Sequence, residues 1–308
     1  MNDTMKVVVY LKWDVPVFVP TDEQFLRFRD TLRARGVEAD IARSEDEFLQ
    51  LLPTATHVVT WTFRQEWFAL APLLVEVSTP AAGKDYFRVS PPRGVSLSYG
   101  SFHGAIMGET AAGAVLALAH GLLIPPSGGS WPRPEFARRA RRIAGATVAI
   151  LGFGAIGRTT GKFLKPFGPK IVGISRSSHP EPEWFGPGDE TASVSDLDQI
   201  LARTDFLVSF LPSGSETDGL LDARRFALMK ETAYVLNFGR GNCIDEAALA
   251  AALRRGTPAG AVLDVFREEP LPESSPLRSA PNCLLLPHSS AFSPDYLDLF
   301  FDEWLSRH

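Results

Sequence analysis

Three side chains in the second half of the chain have the type and the setting for proton and anion chemistry: Arg240, Glu269 and His288. Arg240 lies between Gly239 and Gly241, a setting that leaves the backbone free to aim its guanidinium. The guanidinium fork matches a carboxylate with two parallel bonds. His288 comes just after an apolar run, Leu284-Leu-Leu286, that ends at Pro287-His288, and is the only histidine of that half placed at a strand end. Histidine titrates near neutral pH and can give or take a proton during turnover. Glu269, in Arg267-Glu-Glu-Pro270, can pair with that imidazole and hold it in place. Taken singly, each has a plainer reading: a surface arginine, a solvated loop acid, a satisfied loop histidine.

Such residues need a scaffold, and the stretch Thr147-Val-Ala-Ile-Leu-Gly-Phe-Gly-Ala-Ile-Gly157 supplies its centre. An apolar, β-branched run enters a G-x-G-x-x-G turn, and a helical pattern with Ile156, Phe163, Leu164 and Phe167 follows. Gly152 suits a tight turn, Gly154 a close approach of backbone to pyrophosphate, and Gly157 close packing of helix on strand. The helix N-terminus then offers free N–H groups and a positive dipole end to phosphate. The glycine pattern alone is a weak signal, and the strand before it and the helix after it are the context that strengthens it. A dinucleotide, an arginine that grips an anion and a histidine supported by a glutamate suggest hydride transfer to a 2-oxo acid. The nicotinamide would give the hydride, His288 the proton, and Arg240 would hold carboxylate and carbonyl.

The 308 residues suffice for two domains. Apolar residues at 45% and charged residues at 22% are those of a soluble globular protein. A net charge of −5 gives no basic excess for nucleic acid and no polybasic segment for a membrane surface. No apolar run reaches the ~18 residues of a membrane span, and Met1 to Lys6 has no secretory apolar region. Cys243 and Cys283 form neither a metal motif nor a disulfide framework, so no metal is expected and the cytoplasm is the expected location.

Along the chain, strands are expected at 6–10, 37–41, 57–61 and 73–77, with helices at 22–35 and 47–52 between them. The alternation means α/β with a mostly parallel sheet. The loop Ser78-Thr-Pro-Ala-Ala-Gly-Lys-Asp85 can turn backbone N–H groups at Ala82 and Gly83 toward an anion, or can be a simple turn. A small-residue-rich helix at 103–121 allows close helix packing, inside the chain or against a second copy. An exposed loop is expected at 125–134, and the basic run 138–142 reads as a solvated face. Beyond the glycine turn, helices are expected at 194–201, 217–230 and 246–255, and strands at 170–174, 206–211, 233–237, 261–265 and 284–286.

Four blocks give the chain a family resemblance over roughly residues 78–300: Leu151-Gly-Phe-Gly-Ala-Ile-Gly-Arg158, Val235-Leu-Asn-Phe-Gly-Arg-Gly241, Leu263-Asp-Val-Phe-Arg-Glu-Glu-Pro-Leu-Pro272 and Pro281-Asn-Cys-Leu-Leu-Leu-Pro-His288. It resembles the D-isomer-specific 2-hydroxyacid dehydrogenases, including glyoxylate/hydroxypyruvate reductases and phosphoglycerate dehydrogenase. The resemblance implies an α/β fold: a Rossmann-type doubly wound domain at 102–288 and a smaller flavodoxin-like substrate domain at 1–101, completed by 289–308. It implies Arg240, Glu269 and His288 as the catalytic set, and Ala82, Gly83 and Arg240 on the substrate. The cofactor would lie along Gly152, Gly154, Ala155, Ile156, Gly157, Ser175, Arg176, Leu211, Pro212, Thr217, Phe238, Gly239, Arg240 and Asp264, the last near the nicotinamide carboxamide. A homodimer built on the helix at 103–121 is implied too. Two positions depart from the family pattern. The strand ending in Ser175-Arg-Ser-Ser178 lacks the acid that binds both ribose hydroxyls in NAD proteins, which points to NADP(H), with NAD(H) also usable. Gly214 stands where the family usually has Thr. The competing readings are a dinucleotide-sensing, corepressor-like binding protein and an NAD-dependent oxidiser of a hydroxy acid.

Overall fold

The computed structural model describes residues 5–123, 133–176 and 180–308. The chain divides into two units, Met1–His103 with Phe292–His308, and Gly104–Ala291. In the first, β1 (Lys6–Tyr10), α1 (Asp22–Ala34), β2 (Glu38–Ile41), α2 (Glu45–Leu51), β3 (His57–Thr60), β4 (Glu76–Thr79) and β5 (Ser96–Tyr99) build one parallel sheet in the order β2-β1-β3-β4-β5. That is the flavodoxin-like order. Val7, Val8 and Val9 of β1 are wholly buried, as a strand covered on both faces requires. Thr21 and Gln24 form a capping box that starts α1, and Phe25, Phe28 and Leu32 recur on its buried face. A closing helix, Tyr296–Arg307, buries Phe300, Phe301 and Trp304, and Phe301 stacks on Phe28 at 4.4 Å.

β4 begins later than the apolar run at 73–77 suggests. Leu73 and Val75 are about half exposed, whereas Ser78 and Thr79 are buried in the strand. Trp304 Nε1 donates to Ser78 Oγ and the Ser78 hydroxyl donates to Glu76 Oε1, and together these bonds satisfy the buried serine. β5 was not expected from the sequence. Its Ser96-Leu-Ser-Tyr99 is polar because it is an edge strand.

The second unit contains α3 (Gly104–Ala119), α4 (Arg133–Arg139), β6 (Thr147–Leu151), α5 (Ala155–Leu164), β7 (Lys170–Ser175), β8 (Glu190–Ser193), α6 (Leu197–Leu201), β9 (Phe206–Ser209), α7 (Ala223–Leu228), β10 (Tyr234–Asn237), α8 (Glu246–Arg255), β11 (Gly260–Leu263) and β12 (Cys283–Leu285). All seven strands are parallel, in the order β12-β11-β10-β9-β6-β7-β8. Alternate side chains go to two cores. Ala149, Leu151, Leu207, Val235 and Leu263 meet residues of α6, α7 and α8 on one face. Val148, Ile150, Val208, Leu236 and Val262 meet residues of α3 and α5 on the other. This is a doubly wound sheet of Rossmann type, and the strand order reverses between β6 and β9.

Two details differ from the sequence expectation, and a third follows the intrachain one of its two readings. The helix expected at 217–230 is only Ala223–Leu228, capped by Asp222, which accepts from Arg225 N–H. The stretch before it is tied to its neighbours instead: Leu221 N–H donates to Cys243 O and Asp245 N–H to Leu221 O. β8 escaped the sequence reading for the same reason as β5: it is a short polar edge. The small residues of α3 pack inside the unit, where a Cβ on Gly104 or Gly108 would lie 3.0 or 3.1 Å from Thr159 of α5. Most of the loop expected at 125–134 lies outside the described residues, as do Ser177 and Ser178.

Candidate active site

The glycine turn sits where the strand order reverses. Gly152 has φ +92°, and a Cβ there would lie 2.9 Å from Phe210 C. A Cβ on Gly157 would lie 2.6 Å from Gly152 O, so both positions are closed to larger residues. Gly154 is the opposite case: among the described residues nothing lies within 4 Å of a Cβ built there. Gly154 is also the N-cap of α5 and makes no side-chain capping bond. Two sterically closed glycines thus shape the turn, and the open one faces space at a helix N-terminus. That combination fits a dinucleotide pyrophosphate. Ala155 is exposed and Ile156 half-buried at the start of α5.

Ser175 ends β7, and Arg176 follows it with Nη1 2.6 Å from Glu216 Oε2. Leu211 is buried and leads into Pro212. The Thr217 hydroxyl turns inward, 2.9 Å from both Pro212 O and Gly214 O, and Asn242 Nδ2 donates to Thr217 Oγ1 at 3.3 Å. Thr217 therefore stitches its own loop. The Phe238 side chain is 2% exposed and stacks against Phe210, so its backbone is what that position offers a ligand.

The three chemistry-bearing side chains lie on loops at the C-terminal ends of β10, β11 and β12. Asn237, the last residue of β10, is fully buried. Its Nδ2 donates to Arg240 O at 3.1 Å and its Oδ1 accepts from Gly239 N–H at 3.2 Å, which fixes the turn carrying Arg240. The glycines beside Arg240 are there for close approach, not for freedom of aim. A Cβ on Gly239 would lie 2.5 Å from Leu211 O, and one on Gly241 1.9 Å from Phe266 C. Arg240 Nη1 also donates to Gly239 O at 3.0 Å.

Glu269 divides its carboxylate. Oε1 accepts from Phe266 N–H at 2.9 Å, and Oε2 accepts from His288 Nδ1 at 2.8 Å. This assigns the Nδ1 proton and leaves Nε2 as the exchanging nitrogen. Burial pushes the Glu269 carboxyl up, but hydrogen bonds from His288 and Phe266 N–H and the positive charges of His288 and Arg240 outweigh it and hold it below the usual range. His288 itself has φ +53°, a left-handed conformation that is costly for a residue with a Cβ and tends to gather at functional sites. Asp264 holds it there. This wholly buried acid accepts from Ser289 N–H at 2.7 Å and Ser290 N–H at 2.9 Å, while its carbonyl accepts from His288 N–H at 2.9 Å. In the structure the Asp264 carboxylate is thus committed to the histidine's turn.

Two positioning roles, those of Asn237 and Asp264, were not read from the sequence. The available signal was the same in both cases, a polar residue closing an otherwise apolar strand. In the first unit, the loop after β4 is ordered by Tyr296, whose hydroxyl is 3.3 Å from Pro80 O, and by Gly100 N–H, which donates to Ala81 O at 3.0 Å. Ala82 is exposed and Gly83 half-buried there. Among the described residues no cluster of His, Cys, Asp and Glu could hold a metal, and no helix is long and apolar enough to cross a membrane.

Residues 126–290 match the family model described as the NAD binding domain of D-isomer specific 2-hydroxyacid dehydrogenase. The chain belongs to that family. A glyoxylate reductase of Thermofilum pendens is 33% identical over 227 residues, covering 71% of this chain and 66% of the relative. A glyoxylate/hydroxypyruvate reductase B of Citrobacter koseri is 43% identical over 143 residues, covering 46% and 43%. These matches span two thirds or less of the curated relatives' own length. Among solved structures of the family, a D-isomer specific 2-hydroxyacid dehydrogenase from Aeromonas salmonicida superposes with a TM-score of 0.76 at 28% identity, covering 99% of this chain and 96% of that one. An NADPH-dependent glyoxylate/hydroxypyruvate reductase from Sinorhizobium meliloti, in complex with NADP and sulfate, gives 0.75 at 26% identity, covering 99% and 95%.

Proposed function

We propose that the chain reduces a small 2-oxo acid to its D-2-hydroxy acid, using NADP(H) in preference to NAD(H). The observation that carries this reading is the His288–Glu269 pair at 2.8 Å, on loops at the same sheet end as the glycine turn. When bound, the reduced nicotinamide supplies the hydride. His288, with Nδ1 committed to Glu269, gives the proton from Nε2 to the carbonyl oxygen. Arg240 holds the carboxylate through its guanidinium fork. Ala82 and Gly83 in the first unit belong to the same proposal as backbone ligands of an anion, and Asp264 as a neighbour of the nicotinamide carboxamide.

The relatives named glyoxylate and glyoxylate/hydroxypyruvate reductases support a small substrate. Arg176 after β7, with no acid at 175–178, supports NADP(H). So does the NADPH-dependent Sinorhizobium neighbour. The proposal includes a homodimer using the exposed side of α3, and a cytoplasmic location, where Cys243 and Cys283 stay free thiols. The test is absorbance at the nicotinamide band, with NADPH and NADH against glyoxylate, hydroxypyruvate and phenylpyruvate. Faster consumption of NADPH is expected. Binding of both cofactors with no consumption of either would overturn the proposal.

A further inference from the structure

We propose that Glu216 is a second cofactor-selectivity residue: it competes with the 2′-phosphate of the cofactor for Arg176. The inference rests on the NADP(H) reading above and deepens it. β7 and β9 stand on either side of β6, so the loops that follow them flank the glycine turn. Arg176 is the first residue after β7, and Glu216 lies on the loop after β9. Their side chains meet at 2.6 Å across the interval between those loops. This is the end of the crevice that takes the adenosine ribose in a doubly wound sheet.

The loop carrying Glu216 is held in place. Thr217 bonds back to Pro212 and Gly214, Asn242 Nδ2 donates to the same threonine, and Thr217 N–H donates to Gly214 O at 3.1 Å. Glu216 is therefore stationed opposite Arg176 by an ordered turn. Both partners are open to water, with side chains 83% and 69% exposed. An exposed pair of this kind shifts an equilibrium by only a small factor, so it can be displaced. A 2′-phosphate, with nearly two charges and three acceptor oxygens, can take the guanidinium from a single carboxylate. A bare ribose 2′-hydroxyl has no charge with which to do so and leaves the pair closed. Glu216 must be displaced before the phosphate can bind Arg176. It thus limits the preference for NADP(H) that Arg176 creates.

The test is calorimetric binding of 2′,5′-ADP and 5′-AMP to the full chain at low ionic strength. It compares the wild type, Glu216→Gln, Arg176→Ala and the double variant. Wild type should prefer 2′,5′-ADP, and Glu216→Gln should tighten that ligand by about two- to fivefold while 5′-AMP stays within about 1.5-fold. In the Arg176→Ala background the Glu216→Gln gain should vanish. If Arg176→Ala weakens 2′,5′-ADP but Glu216→Gln leaves it unchanged, Glu216 is no competitor and only this inference falls. A gain that survives in the Arg176→Ala background would also overturn it, since bare repulsion would then suffice. If wild type does not distinguish the two ligands and Arg176→Ala changes neither, the NADP(H) reading fails first.

Discussion

Replacing Glu269 with Gln keeps the side chain's shape and leaves an oxygen for Phe266 N–H, but removes the charge that faces His288. A hydrogen bond between charged partners contributes roughly 1.5–3 kcal/mol. The His288 and Glu269 side chains are 40% and 36% exposed, so solvent screening reduces this to about 1–2 kcal/mol. That corresponds to a fall of about five- to thirtyfold in kcat. Under the proposed function the loss belongs in kcat, because there the pair holds the proton donor, while the glycine turn proposed for the pyrophosphate is untouched. Steady-state NADPH consumption at saturating 2-oxo acid measures the first quantity, and fluorescence titration with NADPH the second. Affinity should stay within twofold. A Gln variant that keeps kcat within twofold would refute the reasoning, and so would one that loses affinity in proportion.

The pH dependence of the same pair has a definite sign. Glu269 is held below its usual range, so its stabilisation of the fold is complete above about pH 4.3 and is lost only as pH falls through the lower folded value. The thermal midpoints of wild type and Glu269→Gln should therefore differ at pH 6 and converge near pH 3; a gap that widens on acidification would contradict this. Gly241→Ala should cost at least ~3 kcal/mol, because its Cβ would fall 1.9 Å from the Phe266 backbone carbon. Gly214→Ala, whose Cβ would meet only Thr217 Oγ1 at 3.9 Å among the described residues, should instead leave the melting midpoint within about 1 °C of wild type. Differential scanning calorimetry separates the two, and equal midpoints would discredit the close-approach argument. Arg240→Lys should raise KM for the 2-oxo acid roughly tenfold, since a point charge cannot copy the fork; an unchanged KM would remove Arg240 as the carboxylate clamp.

The strands buried on both faces were legible because their residues are continuously apolar: Lys6-Val-Val-Val-Tyr10, Thr147-Val-Ala-Ile-Leu151 and Phe206-Leu-Val-Ser209 all form where the pattern puts them. Edge strands were not, because Ser96-Leu-Ser-Tyr99 and Glu190-Thr-Ala-Ser193 carry the polar residues that an edge tolerates. Arg240, Glu269 and His288 could be picked out by residue type and by their place after apolar runs, and Glu269 and His288 do meet. What holds them could not be read. Asn237 and Asp264 act through backbone partners that only the folded turns bring within reach. The glycines beside Arg240 show the same limit, since sequence reveals that a side chain is missing but not what would collide with one. Glu216 gave no signal at all, because it lies 40 residues from Arg176.

The first unit is interrupted in sequence, and that has a consequence for how the chain is made. Residues 104–291 form the second unit without a break, so a ribosome delivers them as one continuous package. The first unit starts earlier yet finishes later, since Phe300, Phe301 and Trp304 come from its last segment. Until that segment emerges, Phe28 lacks its stacking partner and Ser78 lacks the indole donor. At about 5–20 residues per second, making the intervening stretch takes on the order of 10–40 s. For that interval the opening hundred residues wait on the nascent chain with an apolar face uncovered. The half-built first unit, more than the second, is where chaperones should be needed during synthesis.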